Sequence, residues 1–177
     1  MLSIEILIAF FSASLLLALV PGPDNIFVLT QSIFQGKKSG LIIMLGLCTG
    51  LIFHTLAVAF GVAVVFQTSE IAFTILKIIG AMYLLYLAWQ IFNAPTEKID
   101  TENKDISIDY KKLYYRGIIM NITNPKVSIF FLAFLPQFTN PALGTVSLQM
   151  LLLGALFIFA TILIFGSIAL LSGSLAK

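Results

Sequence analysis

Apolar residues fill five long runs of the chain, at about residues 4 to 34, 40 to 66, 71 to 92, 113 to 136 and 146 to 172. Runs of this length predict helices, and at 1.5 Å rise per residue each can cross roughly 30 Å of hydrocarbon. The first run is too long for one untilted crossing and contains Pro21-Gly22-Pro23-Asp24-Asn25. Pro21 and Pro23 have no amide hydrogen, so the carbonyls of Leu17 and Leu19 lose their helical donors. Helix one is therefore expected to be broken, as a kinked crossing or as a re-entrant pair of half-helices. The fourth run meets a similar interruption at Asn124-Pro125-Lys126.

The hydrophilic stretch from 93 to 112 reads as a solvated linker between a first half, 1–92, and a second, incomplete half, 113–177, of one membrane domain. Lys37 and Lys38 follow the first run, and Lys98, Lys104, Lys111, Lys112 and Arg116 lie in or beside the linker. The connections 67–70 and 137–145 carry no Lys or Arg, while Lys177 closes the fifth run. By the positive-inside rule the lysine-bearing side is cytoplasmic. A spanning first run puts the N-terminus outside and a re-entrant one puts it inside. The start has no basic n-region and no small-residue cleavage site, so it is expected to be retained rather than removed as a signal peptide.

Composition agrees with lipid as the solvent. The 177 residues are 59% hydrophobic and 10% charged, with a mean hydropathy of +1.05, too apolar for a water-soluble core of that size. A net charge of +2 and interleaved linker charges argue against nucleic acid as a partner. The single cysteine, Cys48, excludes an intramolecular disulfide and a multi-cysteine metal site. It reads as a small apolar helix residue. The chain offers no Ser-His pairing, paired carboxylates or histidine cluster, so neither an enzyme nor a cofactor or metal centre is expected.

The candidate chemistry lies at the two breaks. Pro23 and Pro125 suit the first turn of a new half-helix, with Gly22 and Asn124 as caps, and each proline is followed directly by an ionisable residue, Asp24 or Lys126. A charge at bilayer depth costs about 2.5–3.5 kcal/mol or more, so these two are expected to face a cavity or each other. Three-helix halves would lie inverted in the membrane and bring both breaks to one midplane site, formed by Pro21, Gly22, Pro23, Asp24, Asn25, Asn124, Pro125 and Lys126. Such a site fits an amino acid zwitterion, its carboxylate toward Lys126 and its ammonium toward Asp24 and the freed carbonyls. A structural Asp24–Lys126 ion pair is the plainer reading, and the two are compatible. Gly46, Gly50 and His54 share one helix face, where small residues permit close approach and His54 can relay a proton or bond across the contact. Lys77 can snorkel outward, Glu5 and Glu70 read as interfacial, Gly80 with Ala81 permits close packing, and Tyr83, Tyr86 and Trp89 read as an interfacial belt.

Together the Pro21–Asn25 run, the Gly46/Gly50/His54 face, Lys77 through Leu87, and Gly117 through Asn124-Pro125-Lys126 to Phe134-Leu135-Pro136-Gln137-Phe138 resemble the LysE/RhtB family of bacterial amino acid exporters. The resemblance covers nearly the whole chain in order. It implies an all-α, polytopic helix bundle in the bacterial inner membrane that exports an amino acid or derivative, driven by protons in antiport, with a homodimer allowed. It also implies six hydrophobic segments. This chain has five, so a sixth helix is expected to be missing, leaving a truncated or non-transporting assembly subunit as the alternative. Metal-cation efflux is a further alternative, poorly served by one Asp and one His beside a lysine.

Overall fold

The computed structural model describes residues 2–62, 70–92 and 108–174, and every long element among them is helical. The helices are α1 (Ile4–Leu19), α2 (Pro23–Gln35), α3 (Lys37–Ala57), α4 (Glu70–Phe92), α5 (Tyr110–Thr123), α6 (Pro125–Ile129) and α7 (Val146–Gly173). A π-turn, Val58–Val62, extends α3, while α6 continues through a π-turn, Phe130–Phe134, and a 3-10 turn, Leu135–Phe138. These match the five apolar runs within a few residues over the described part. The linker 93–107 and Lys177 lie outside the described residues.

Both expected breaks are present. Helices α1 and α2 meet at 61°, and α5 meets the Pro125–Phe138 segment at 50°. Ser3 caps α1, Asp109 caps α5, and Pro23 and Pro125 open α2 and α6. Two helices, Lys37–Gly61 and Val146–Gly173, are long and apolar enough to cross a membrane alone; each bent pair, taken as one span, raises the number to four.

Contacts fix the direction of each element. At one end, Leu2 and Phe10 of the N-terminal region join Val58, Leu135, Val146 and Met150 in an apolar cluster. At the other, Gly40 faces Ser32 and Ala169, and Gly173 packs on the backbone of Lys37. The bent pair α1–α2 thus runs the full length of the bundle from the first end to the second, and the pair beginning with α5 runs back. Lys37, Lys38, Tyr110 and Arg116 gather at the second end, where Lys38 Nζ lies 4.5 Å above the Tyr110 ring and the Arg116 guanidinium 4.5 Å above that of Phe27.

Helix α3 is the central element and packs most extensively on α5 and α7. Its glycine face explains how. A Cβ on Gly46 would sit 3.1 Å from the Gly117 Cα, and one on Gly117 would sit 2.6 Å from the Ile43 carbonyl, so the two backbones touch. Along the same seam Thr49 and Tyr114 share a 2.8 Å hydrogen bond, Gly50 makes room for Asn121, and His54 Nε2 lies 3.2 Å from the Asn121 carbonyl. Helix α4 packs on the 130–134 turn and α6, with Gly80 against Ala133. Its Ile71, Met82, Leu85 and Trp89 face outward, as do many apolar residues elsewhere on the bundle, the arrangement that lipid rather than water requires. Tyr83, Tyr86 and Trp89 follow one another at ring separations of 6.2 and 6.4 Å. The side chain of Lys77 lies outside the described residues, whereas Cys48 is buried in an apolar cluster as its sequence context implied.

The seam is directly testable. Gly117→Val is expected to lower stability by about 1–3 kcal/mol or more through overpacking against a backbone that cannot yield. Gly61→Ala, whose Cβ meets nothing within 4 Å among the described residues, is expected to change stability by less than about 1 kcal/mol. Thermal unfolding of the two variants in one detergent checks the ordering.

Candidate functional site

The two breaks meet inside the bundle. Pro21 and Pro23 remove the donors that would continue α1, so its last turn ends in free carbonyls inside the bundle. Asn25, in the first turn of α2, turns its Nδ2 back to donate to the Ala18 carbonyl at 2.8 Å, which fixes the bend. The Leu17 and Val20 carbonyls instead accept from Lys126 Nζ, at 3.5 and 3.1 Å, across more than a hundred residues of sequence. Gly22 eases that approach, since a Cβ there would stand 3.2 Å from Lys126 Nζ and oblige the lysine to shift. The carbonyl end of α1 is the negative pole of its helix dipole, so it offsets a cation that its own helix, α6, places at the unfavourable end.

Asp24 lies opposite. It sits in the first turn of α2, where a carboxylate is favoured, and its Oδ2 accepts from Asn124 Nδ2 at 2.8 Å. Asn124 works twice, because its Oδ1 also accepts the Lys126 amide at 3.0 Å and caps α6. Asp24 and Lys126 are 3% and 6% exposed, yet the ion pair considered from the sequence is not made. Among the described residues each charge takes its hydrogen bonds from other groups, because the freed backbone carbonyls hold Lys126 and the carboxamide of Asn124 holds Asp24.

A cavity of about 20 Å³ lies between them, lined by Leu17, Ala18, Asp24, Asn121, Lys126 and Thr161 among others. That is room for a water molecule or two and far below the roughly 300 Å³ at which ligand pockets begin. As it stands, the junction has no room for a substrate. Around it, Asp24 Oδ1, Asn25 Oδ1 and Asn121 Oδ1 are buried without a hydrogen-bond partner. Leu17, Leu51, Val127 and Phe157 of one apolar cluster and Ala18, Leu47 and Phe165 of the other line it on either side. The polar layer is thus sandwiched between two dry ones.

Of the residues nominated from sequence, Gly22, Asp24, Asn25, Asn124 and Lys126 meet at this junction, and Pro21, Pro23 and Pro125 create the breaks that form it. His54 stands beyond Asn121, bonded to its carbonyl and 5.6 Å from the Phe131 ring. Asn121 and Thr161 were not nominated. The signal available for Asn121 was a carboxamide inside an apolar run, three residues ahead of Asn124 and on the helix that the glycine face of α3 contacts.

An all-helical bundle with many outward apolar side chains, and with charges and carboxamides gathered where two broken helices meet, defines a polytopic membrane protein. The LysE type translocator family model matches residues 15–177. The chain belongs to that family, whose members are transporters rather than enzymes. It is similar to the homoserine/homoserine lactone efflux protein of Salmonella typhi, 35% identical over 168 residues that cover 95% of this chain and 81% of the relative. It is also similar to the uncharacterized membrane protein YrhP of Bacillus subtilis (strain 168), 30% identical over 167 residues that cover 90% of this chain and 79% of the relative. No solved structure gives a significant match.

The double duty of Asn124 separates cap from carboxylate support. Asn124→Ser keeps an N-cap acceptor, but its one hydroxyl on a shorter side chain does not reach Asp24 as Nδ2 does, a loss of about 1–3 kcal/mol. Asn124→Ala is expected to lose about 1 kcal/mol more with the cap. Thermal unfolding of both variants beside the unsubstituted protein reads the two steps.

Proposed function

We propose that this protein is a secondary transporter of the bacterial cytoplasmic membrane that exports a small amino acid derivative carrying a free α-ammonium group, with homoserine and its lactone as the first substrates to test. The supporting observation is the closed junction, in which buried Asp24 and Lys126 lie beside unpartnered acceptor oxygens between two apolar layers. Charges are retained at such depth where they serve a pathway. Homoserine and homoserine lactone share an α-ammonium, whereas ring closure consumes both the carboxylate and the hydroxyl. The group common to the two is the one that an acceptor-rich site recognises.

In this reading residues 1–92 and 113–177 are inverted halves, each opening with a broken helix, and the breaks face one another at the midplane. The opposite courses of the two bent pairs support it, and so do the opposite courses of α3 and α7. The lysine-bearing end is cytoplasmic and the N-terminus outside. Protons are the coupling ion and Asp24 is the group that would carry one inward as substrate leaves. His54 supports the site through Asn121 rather than by meeting substrate.

Efflux of homoserine and of homoserine lactone from loaded cells lacking their native exporters tests the reading. The unsubstituted chain is expected to accelerate efflux of at least one of them over empty vector. Asp24→Asn is expected to reduce that gain by tenfold or more, equivalent to about 1.4 kcal/mol, at equal membrane abundance. An Asp24→Asn variant that exports normally removes the carboxylate from the mechanism. A membrane-inserted chain indistinguishable from empty vector removes the exporter assignment for these substrates.

A further inference from the structure

We infer that the carbonyl end of α1 is the ammonium subsite of the transport path, and that Lys126 is a tethered cation occupying it while the bundle is closed; the assignment rests on the exporter reading above. Lys126 Nζ is a primary ammonium on a side chain. It presents the same N–H donors that an α-ammonium would, and it places them on the Leu17 and Val20 carbonyls, at 3.5 and 3.1 Å. The Leu17 carbonyl is free because Pro21 has no amide hydrogen to donate to it, and the Val20 carbonyl lies in the bend just beyond the last helical turn.

The surroundings favour a cation and offer little to an anion. The oxygens of Asp24, Asn25 and Asn121 that lack partners are all acceptors. Of the nearby donors, Asn124 Nδ2 is engaged by Asp24, Asn25 Nδ2 by Ala18, and Lys126 itself by α1, which leaves the neutral carboxamide N–H of Asn121 as the donor not so engaged, against three unpartnered acceptor oxygens, one of them on a carboxylate. A substrate carboxylate directed at Lys126 would have to take it from two carbonyls and offer them nothing in return. A substrate ammonium replaces Lys126 donor for donor. The displaced lysine then has an unpartnered oxygen of Asp24 within the same cavity, the one carboxylate lining it among the described residues. The exchange conserves charge at the carbonyls and makes an Asp24–Lys126 pair only when substrate is bound. It also accounts for the small cavity, because the occupant of the subsite belongs to the protein.

The test separates occupancy from simple charge. Lys126→Ala empties the subsite, whereas Lys126→Met removes the charge and fills the space. Thermal unfolding of purified protein in detergent is followed with ethylammonium and, at matched ionic strength, with tetramethylammonium, which has no N–H donor. Ethylammonium is expected to stabilise Lys126→Ala saturably, to act far more weakly on the unsubstituted protein, where it must displace the tethered lysine, and to leave Lys126→Met unchanged; tetramethylammonium is expected to act on none. Lys126→Ala should also bind homoserine lactone about tenfold or more tightly than Lys126→Met, since both lack the Asp24–Lys126 pair and only the methionine still fills the subsite. A folded Lys126→Ala that ignores ethylammonium overturns the assignment, and so does an equal response from Lys126→Met or an equal effect of tetramethylammonium. If Lys126→Ala is recovered folded only when ethylammonium is present during purification, and not with tetramethylammonium, the assignment stands; recovery with neither overturns it. The two readings fail separately. Efflux by the unsubstituted chain without an amine response removes the subsite alone, and an amine response without efflux removes the exporter alone.

Discussion

A lysine held by backbone carbonyls in the middle of an apolar bundle is the constraint on which the rest of this structure depends. A helix offers no free backbone acceptors except at its end, and within a membrane an end is tolerated only where something else satisfies it. Lys126 therefore requires that α1 stop at mid-depth, and the stop at α1 requires a cation. The prolines at 21 and 23 and the lysine at 126 are two halves of one solution, separated by a hundred residues of sequence. The close α3–α5 seam completes it, because the Gly46–Gly117 contact lets α5 come near enough for Asn124 and Lys126 to reach α1 and α2. A single added Cβ on that seam would act on the charges through the helices that carry them.

Much of this was legible in sequence, for definite reasons. The apolar runs and both breaks depend on local covalent facts, such as run length and missing amide hydrogens, which no tertiary contact can override. The Gly46, Gly50 and His54 face was legible because helical periodicity puts all three on one side. The partners were less so. Sequence correctly freed the Leu17 carbonyl but sent Lys126 toward a carboxylate, because opposite charges are the obvious match. The structure pairs Lys126 with carbonyls, one of them at Val20 in the bend itself, whose position depends on the 61° angle between the helices. Asn121 was missed because a lone carboxamide acquires meaning only when Gly50 and His54 are seen to pack on it. The π-turn at 130–134 was invisible for a similar reason: Pro136 announces a fault in the ladder but not on which side the register slips.

The apolar layers on either side of the junction are unlike one another. One is aromatic, with Phe10, Phe130, Phe134 and Phe138 at ring separations from 4.7 to 6.0 Å. The other is largely aliphatic, built on Ile43, Met44, Leu47 and Val28, and lies toward the lysine-bearing end. Aromatic rings in mutual contact move as a group, while aliphatic side chains with several rotatable bonds rearrange singly. In the exporter proposed above, loading from the lysine-bearing end would part the aliphatic layer first, while the aromatic one would hold the opposite end shut.

The hydrogen bonds at the junction fit that division of labour. Lys126 joins α6 to the end of α1, and those two elements continue together toward the aromatic end, where α1 meets the 135–138 turn. Asp24 and Asn124 join α2 to the cap between α5 and α6, and α2 and α5 continue together toward the lysine-bearing end. Opening one end therefore strains mainly the first bond set, and opening the other strains mainly the second. Asn25 keeps the α1–α2 bend fixed in both cases, since its bond to Ala18 lies within one half. In the exporter proposed here, an ammonium that displaces Lys126 weakens the closure on the aromatic side while leaving Asp24 and Asn124 joined, so its arrival favours release outward over return.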